Sequence, residues 1–301
     1  MHTDGSTPEL HPMTALVAPL AVVFGYAAML ITGSLAPALV LTTDGRAPLL
    51  GLRSTLIACE LALASPALLA LVLPAGRPIL GLRRIGALTL LAAAASGAAL
   101  WAASLGVLEL QYAFWAPPPG YLQDFQRLHE ALRPHGALDL AFSITAIAVS
   151  PAVCEELLFR GLALPALRPA IGTARAVAGS SVLFALIHLD FSSGRPTLYR
   201  VPFALVVGVG FALLRLRTGS LLPSMLAHAL VNTTTFLAAL QETAGTDLPP
   251  SRPLFGAAML AAGVISFAVV LGRLPRAASP SPNPARLENA SGRSRRKESS
   301  P

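Results

Sequence analysis

Apolar residues in this chain neither alternate nor form a single stripe. They come in runs of about 20 that are apolar all round, the length a helix needs to cross a bilayer. Such runs cover residues 13–36, 54–73, 86–108, 137–166, 173–191, 201–216, 220–240 and 254–272, each bounded by Arg, Pro or Gly. They predict an all-α, polytopic membrane protein with about eight transmembrane helices. The run at 201–216 is the shortest, but Ala204, Gly208 and Ala212 form a row of small residues that permits close helix packing.

Polar positions divide the chain further. Residues 111–136 begin with Trp115 and the Pro117–Pro119 block and continue as YLQDFQRLHEAL, apolar and charged by turns at helical spacing. An interfacial helix and a plain solvated connector both fit this stretch, because Tyr112, Trp115 and Tyr121 suit the headgroup belt in either case. From position 273 the chain is rich in Pro, Ser and Arg with almost no large apolar residue, so it is expected to stay disordered. The resulting division is 1–136 for three helices plus the interfacial segment, 137–240 for a central core, 241–272 for a last helix and 273–301 for a basic tail.

Composition agrees with the pattern: 54% of the 301 residues are hydrophobic and 12% charged. The net charge of +7 does not point to nucleic acid, since it resides in short loops and in a tail holding Arg273, Arg276, Arg286, Arg293, Arg295, Arg296 and Lys297. That distribution marks the cytoplasmic side of a membrane protein and predicts that both termini are cytoplasmic, with Arg77, Arg83 and Arg84 on the same side. One Lys against 21 Arg fits a GC-rich genome, and a bacterial plasma membrane is the expected location. Cys59 and Cys154 each lie in an apolar run and read as small packing residues; Cys154 lacks an adjacent base. No Lys or Arg precedes the first run, so the basic region of a cleaved signal peptide is missing.

Ionisable groups deep in a membrane helix cost about 2.5 to 3.5 kcal/mol each on insertion scales, so each calls for a partner or a function. Three places concentrate them. In Cys154-Glu155-Glu156-Leu157-Leu158-Phe159-Arg160, Glu156 and Arg160 are four apart and can pair. Glu155 is turned about 100° away, which leaves one acid structural and the other available. Phe184 to His188 and His228 to Asn232 are the other two, the latter pair four apart on one face. Counted from the same side of the membrane, Glu155, His188 and Asn232 fall at roughly 18 to 21 Å depth, so they can meet in one layer. Glu60 is expected to snorkel or to pair with an Arg, Asp139 and Asp190 to sit near helix ends, and Pro165 to kink or end the fourth helix.

The motifs EExxxR, FxxxH and HxxxN, with the turn Thr218-Gly219-Ser220-Leu221 before the last, resemble those of the CAAX-processing and bacteriocin-processing (CPBP) family of intramembrane endopeptidases over about residues 137–240. The resemblance implies that Glu155 activates water with help from His188, and that His228 and Asn232 stabilise the oxyanion. It also implies a polypeptide substrate at the membrane. Members are often described as metalloproteases; HExxH is missing, so a divalent metal such as zinc would have to be held by Glu155, His188 and His228 from three helices. Catalysis by Glu without metal is the alternative. Two other functions compete: a non-catalytic scaffold of the same fold, which would be free to lose motif residues, and a proton-coupled carrier, which would usually show an internal repeat.

Overall fold

The computed structural model describes residues 13–40, 48–72, 80–118, 120–189, 197–241 and 251–276. Calls on Asp190 and on the tail beyond residue 276 lie outside them. Every described apolar run is helical: α1 Met13–Val40, α2 Pro48–Leu63, α3 Ser65–Val72, α4 Ala87–Phe114, the amphipathic α5 Tyr121–Ala131, α6 Ala137–Ile171, α7 Thr173–Leu186, α8 Val201–Thr218, α9 Leu222–Ala239 and α10 Pro253–Arg273. The fold is an all-α, polytopic membrane bundle.

The expectation of about eight spans needs refinement. Among the described residues five helices are long and apolar enough to cross a membrane alone (α1, α4, α6, α8 and α10), and α2 with α3, bent by 61°, makes a sixth if the pair is one span. At 14 residues α7 is about 21 Å long and falls short of the hydrocarbon thickness. Site residues occupy α9, which is not among the five. Pro165 does not end α6. The helix runs on to Ile171, and a π-helical stretch at Leu157–Ala163 opens the backbone just before the proline.

Hydrogen bonds sort the helix ends into two groups. At one end Leu221 N donates to Gly81 O, Ser220 Oγ to Arg83 O and Arg217 Nε to Leu274 O, which gathers the end of α8, the start of α9, the end of α10 and the segment before α4. At the other, Gln111 Nε2 donates to Tyr199 O, Arg252 pairs with Glu109 and Arg53 with Asp139. The rings of Trp115 and Tyr121 meet Tyr199 edge-on here, and His129 of α5 lies on Phe236. The chain thus shuttles between a basic end and an aromatic end, with α5 lying across the latter.

At the basic end Gly219 closes α8 in the left-handed region (φ 68°), where a side chain would be strained. That turn aims α9 back into the bundle. Largely apolar packing of Leu158, Phe159, Phe184, Phe211 and Val231 fills the centre, and it surrounds the charged groups described next.

Candidate active site

Mid-way along α6, Glu155, Glu156 and Arg160 are buried in the bundle. Arg160 is fully enclosed. Its Nη1 meets Glu156 Oε1 at 2.9 Å, and its Nη2 donates to the Gly208 carbonyl of α8 at 2.7 Å. The guanidinium also lies 4.4 Å from the centre of the Phe184 ring and 5.5 Å from that of Phe211. Gly208 is small for this reason: a Cβ there would stand 3.1 Å from Phe184 and 3.3 Å from Arg160 Nη2. The ion pair foreseen between Glu156 and Arg160 is therefore present, and α8 clamps it from the far side.

His228 of α9 bridges the two acids. Its Nδ1 stands 3.3 Å from Glu156 Oε1 and its Nε2 3.7 Å from Glu155 Oε2. The ring stacks on Phe211 with centroids 4.6 Å apart. An ionised carboxylate only accepts hydrogen bonds, so Nδ1 carries the hydrogen toward Glu156. Glu155 Oε2 is buried and has no hydrogen-bond partner. Asn232, half-buried, stands one turn beyond His228 on the same face of α9.

His188 lies just past the end of α7, half-buried, with its ring 4.9 Å from Phe184. Its Nδ1 is 2.9 Å from the Phe184 carbonyl. Since a carbonyl cannot donate, Nδ1 holds the hydrogen and Nε2 keeps its lone pair. Electrostatically His188 feels both His228 and Arg160, so one aromatic residue, Phe184, separates and orders the three.

Sequence reasoning passed over two participants and gave a third another role. Phe211 forms the stacking floor under His228, yet on α8 it looks like any other core aromatic. Arg200, at the head of α8, exerts its charge on both Glu155 and His188. Glu60 does not pair with an Arg: its Oε2 is buried without a partner, and its charge acts on Glu155 and Cys154. A lone acid in an apolar run was the available signal, and its direction only the packing of α2 on α6 reveals. Cys154 is a buried free thiol, and Asp139 pairs with Arg53 at 3.5 Å.

A metal fits this arrangement poorly. Among the described residues no group of three or more His, Cys, Asp or Glu side chains is placed to hold an ion. Glu155, His188 and His228 as they stand do not form the three-ligand set that zinc needs.

No curated protein and no solved structure matches the chain. Residues 137–234, which carry Glu155, Glu156, Arg160, His188, His228 and Asn232, match the family described as type II CAAX prenyl endopeptidase Rce1-like, a match over this segment that supports a CPBP family intramembrane protease.

Proposed function

We propose that the protein is an endopeptidase that hydrolyses a peptide bond of a membrane-anchored or membrane-adjacent polypeptide, with Glu155 as the base that activates water. One observation carries this reading. Each acid has one buried oxygen without a hydrogen-bond partner, but Glu156 is held at its other oxygen by Arg160 and His228, whereas no hydrogen bond to Glu155 is found among the described residues. Such an oxygen is able to take a proton.

In the proposed reaction Glu155 removes a proton from water as the water oxygen bonds to the carbonyl carbon. His188, its Nδ1–H tied to Phe184, orients the water through the Nε2 lone pair. The oxyanion is met by the Asn232 side-chain amide and by His228 Nε2–H. Since Nδ1 already donates to Glu156, donation from Nε2 requires both nitrogens of His228 to be protonated, a charge that Glu156 favours against the cost of burial. Collapse of the intermediate breaks the carbon–nitrogen bond, and Glu155 delivers its proton to the leaving amine. Water is thereby divided between the two products.

Both termini are proposed to be cytoplasmic in a bacterial plasma membrane. Supporting this, Arg83, Arg84, Arg168, Arg175, Arg215, Arg217, Arg273 and Arg276 all fall at the basic end. Comparing membrane proteomes of cells with wild-type protein and with Glu155→Ala tests the function. Polypeptides shortened only in the wild type are expected; identical proteomes, with both proteins present in the membrane, would overturn the proposal.

A further inference from the structure

α2 and α6 run side by side in the same direction, and two contacts fix their register. Near the aromatic end Arg53 Nε donates to Ser143 Oγ at 2.9 Å. Further in, a Cβ on Gly25 of α1 would collide with the Leu63 carbonyl of α2 and stand 3.6 Å from Leu158 Cδ2 of α6, so Leu63 and Leu158 lie at one level. Three residues before each come Glu60 and Glu155, which therefore share a level as well. Glu60 follows Arg53 by seven residues, two turns along the same face of α2, and Arg53 turns that face to α6. α2 packs there on the Ser150–Glu156 segment. The charge of Glu60 acts on Cys154 and Glu155 in keeping with this placement.

Polar groups grade inward along this seam. Asp139, its side chain 38% exposed, stands at the aromatic end and meets Arg53 Nη1 at 3.5 Å. Arg53 is 1% exposed. Its Nη2, Glu60 Oε2 and Glu155 Oε2 are all buried, with no hydrogen-bond partner among the described residues. A guanidinium only donates and an ionised carboxylate only accepts, so the outer end of the row offers hydrogens and the inner end takes them. Two turns of α2 separate Arg53 from Glu60, about 10 Å, which roughly three waters in file can bridge. At the inner end a single water has two O–H groups, one for Glu60 and one for Glu155. Ordered water meets buried polar groups in proteins in this way.

We infer that the hydrolytic water reaches Glu155 along the α2–α6 seam from the Asp139 end, and that Glu60 is a positioning residue that holds the last water beside Glu155. This rests on the reading of Glu155 as the base. Each turnover consumes one water in a core packed with Phe159, Phe184 and Phe211, and the row replaces it. The seam also accounts for an acid kept in α2 without a cation of its own.

The test combines kinetics with brief X-ray radiolysis of the detergent-purified full chain, in which hydroxyl radicals formed from bound water label nearby side chains, read by mass spectrometry. Cys154, buried in the segment that faces α2, should be labelled in the wild type and several-fold less in Glu60→Leu, while the fully buried Leu214 of α8 stays unlabelled in both. On a polypeptide that the membrane-proteome comparison finds shortened, Glu60→Leu should lower kcat roughly 10- to 100-fold, the worth of one hydrogen bond to a charged group, with KM within about twofold. Glu60→Gln, whose amide oxygen still accepts from the water, should restore kcat to within about fivefold of wild type. Tm should not fall in either variant, because Glu60 Oε2 has no partner to lose. Wild-type kcat in Glu60→Leu would overturn the role of Glu60, and an unlabelled Cys154 in the wild type would overturn the path. A loss of kcat that tracks a lower Tm and that Gln does not restore would show a structural acid and overturn the inference too. Should Glu60→Leu not fold, the labelling of wild-type Cys154 decides alone. Glu155→Gln keeps the two readings apart: if it is active the base is wrong, and if it is inert beside an unimpaired Glu60→Leu only the seam is.

Discussion

Exchanging each acid of the pair for its amide separates their roles, because Gln keeps the shape and removes the charge. Glu156 is fully enclosed, 2.9 Å from Arg160 and 3.3 Å from His228 Nδ1. In Glu156→Gln the guanidinium retains the Gly208 carbonyl and the Phe184 face but loses the one carboxylate found within 4 Å among the described residues. Breaking a buried pair in this way costs about 3 to 5 kcal/mol. The Gln carbonyl can still accept from Nη1, which places the expected loss near the lower figure, a fall in Tm of roughly 6 to 12 °C. Glu155 has no such partner, and Glu155→Gln should leave Tm within about 2 °C of wild type while lowering kcat/KM by a factor of 100 to 10,000 or so, the range general-base catalysis contributes. The assays are thermal unfolding in detergent and cleavage of a polypeptide that the membrane-proteome comparison finds shortened. A fully active Glu155→Gln, together with a Glu156→Gln that is inert but as stable as wild type, would refute the assignment and exchange the two roles.

Three other substitutions probe the surroundings. Gly208→Ala puts a methyl 3.1 Å from Phe184 and 3.3 Å from Arg160, and is expected to lower stability by about 1 to 3 kcal/mol, measured as Tm. His228→Gln should leave measurable activity, about 100- to 1,000-fold reduced, and exhaustive chelation should leave the wild type active; stoichiometric zinc whose removal abolishes activity and whose return restores it would refute the metal-free reading. On α5, burial above all, with help from Arg200 and against the hydrogen bond to Phe125, holds the His129 imidazole below its ordinary value near 6.5. The folded state therefore prefers neutral His129. Its stabilisation is complete above about pH 6.5 and is lost as pH falls toward the lowered value, so hydrogen exchange in residues 121–131 should speed up on acidification, an effect that His129→Phe removes.

What could be read from the sequence was whatever a single helix decides. A run apolar on every face is a membrane helix whatever it touches, and an acid four residues before an arginine shares its face, so α6 and the Glu156–Arg160 pair were both within reach. Contacts across helices were not. Phe211 becomes the floor of His228 only because the left-handed Gly219 folds α9 back along α8. The π-helical stretch at Leu157–Ala163 leaves no trace in the apolar pattern, since the run continues unbroken through it. Its effect was a misplaced helix end: Pro165 reads as a terminator only if the turn before it is an ordinary α-turn.

Charge shows the same division between what one segment fixes and what the bundle fixes. Along the chain, Arg53, Arg200 and Arg215 are equivalent, single cations at the edge of apolar runs, and the sequence assigned none of them a role. In the bundle they part. Arg53 is buried between α2 and α6, where its Nε donates to Ser143 and its Nη1 meets Asp139. Arg215 lays its guanidinium over Gly81. Arg200 stands at the head of the α8 face that continues through Ala204 and Val207 to Phe211, positions 4, 7 and 11 residues on, and this face leads down to His228. Its charge reaches Glu155 and His188 along that face. An apolar residue at position 200 would leave intact every ion pair found among the described residues, since Arg200 takes part in none of them. Any change in the pH profile of cleavage in Arg200→Leu would then arise from the lost field at the site and not from a weakened bundle, which an unchanged Tm would verify.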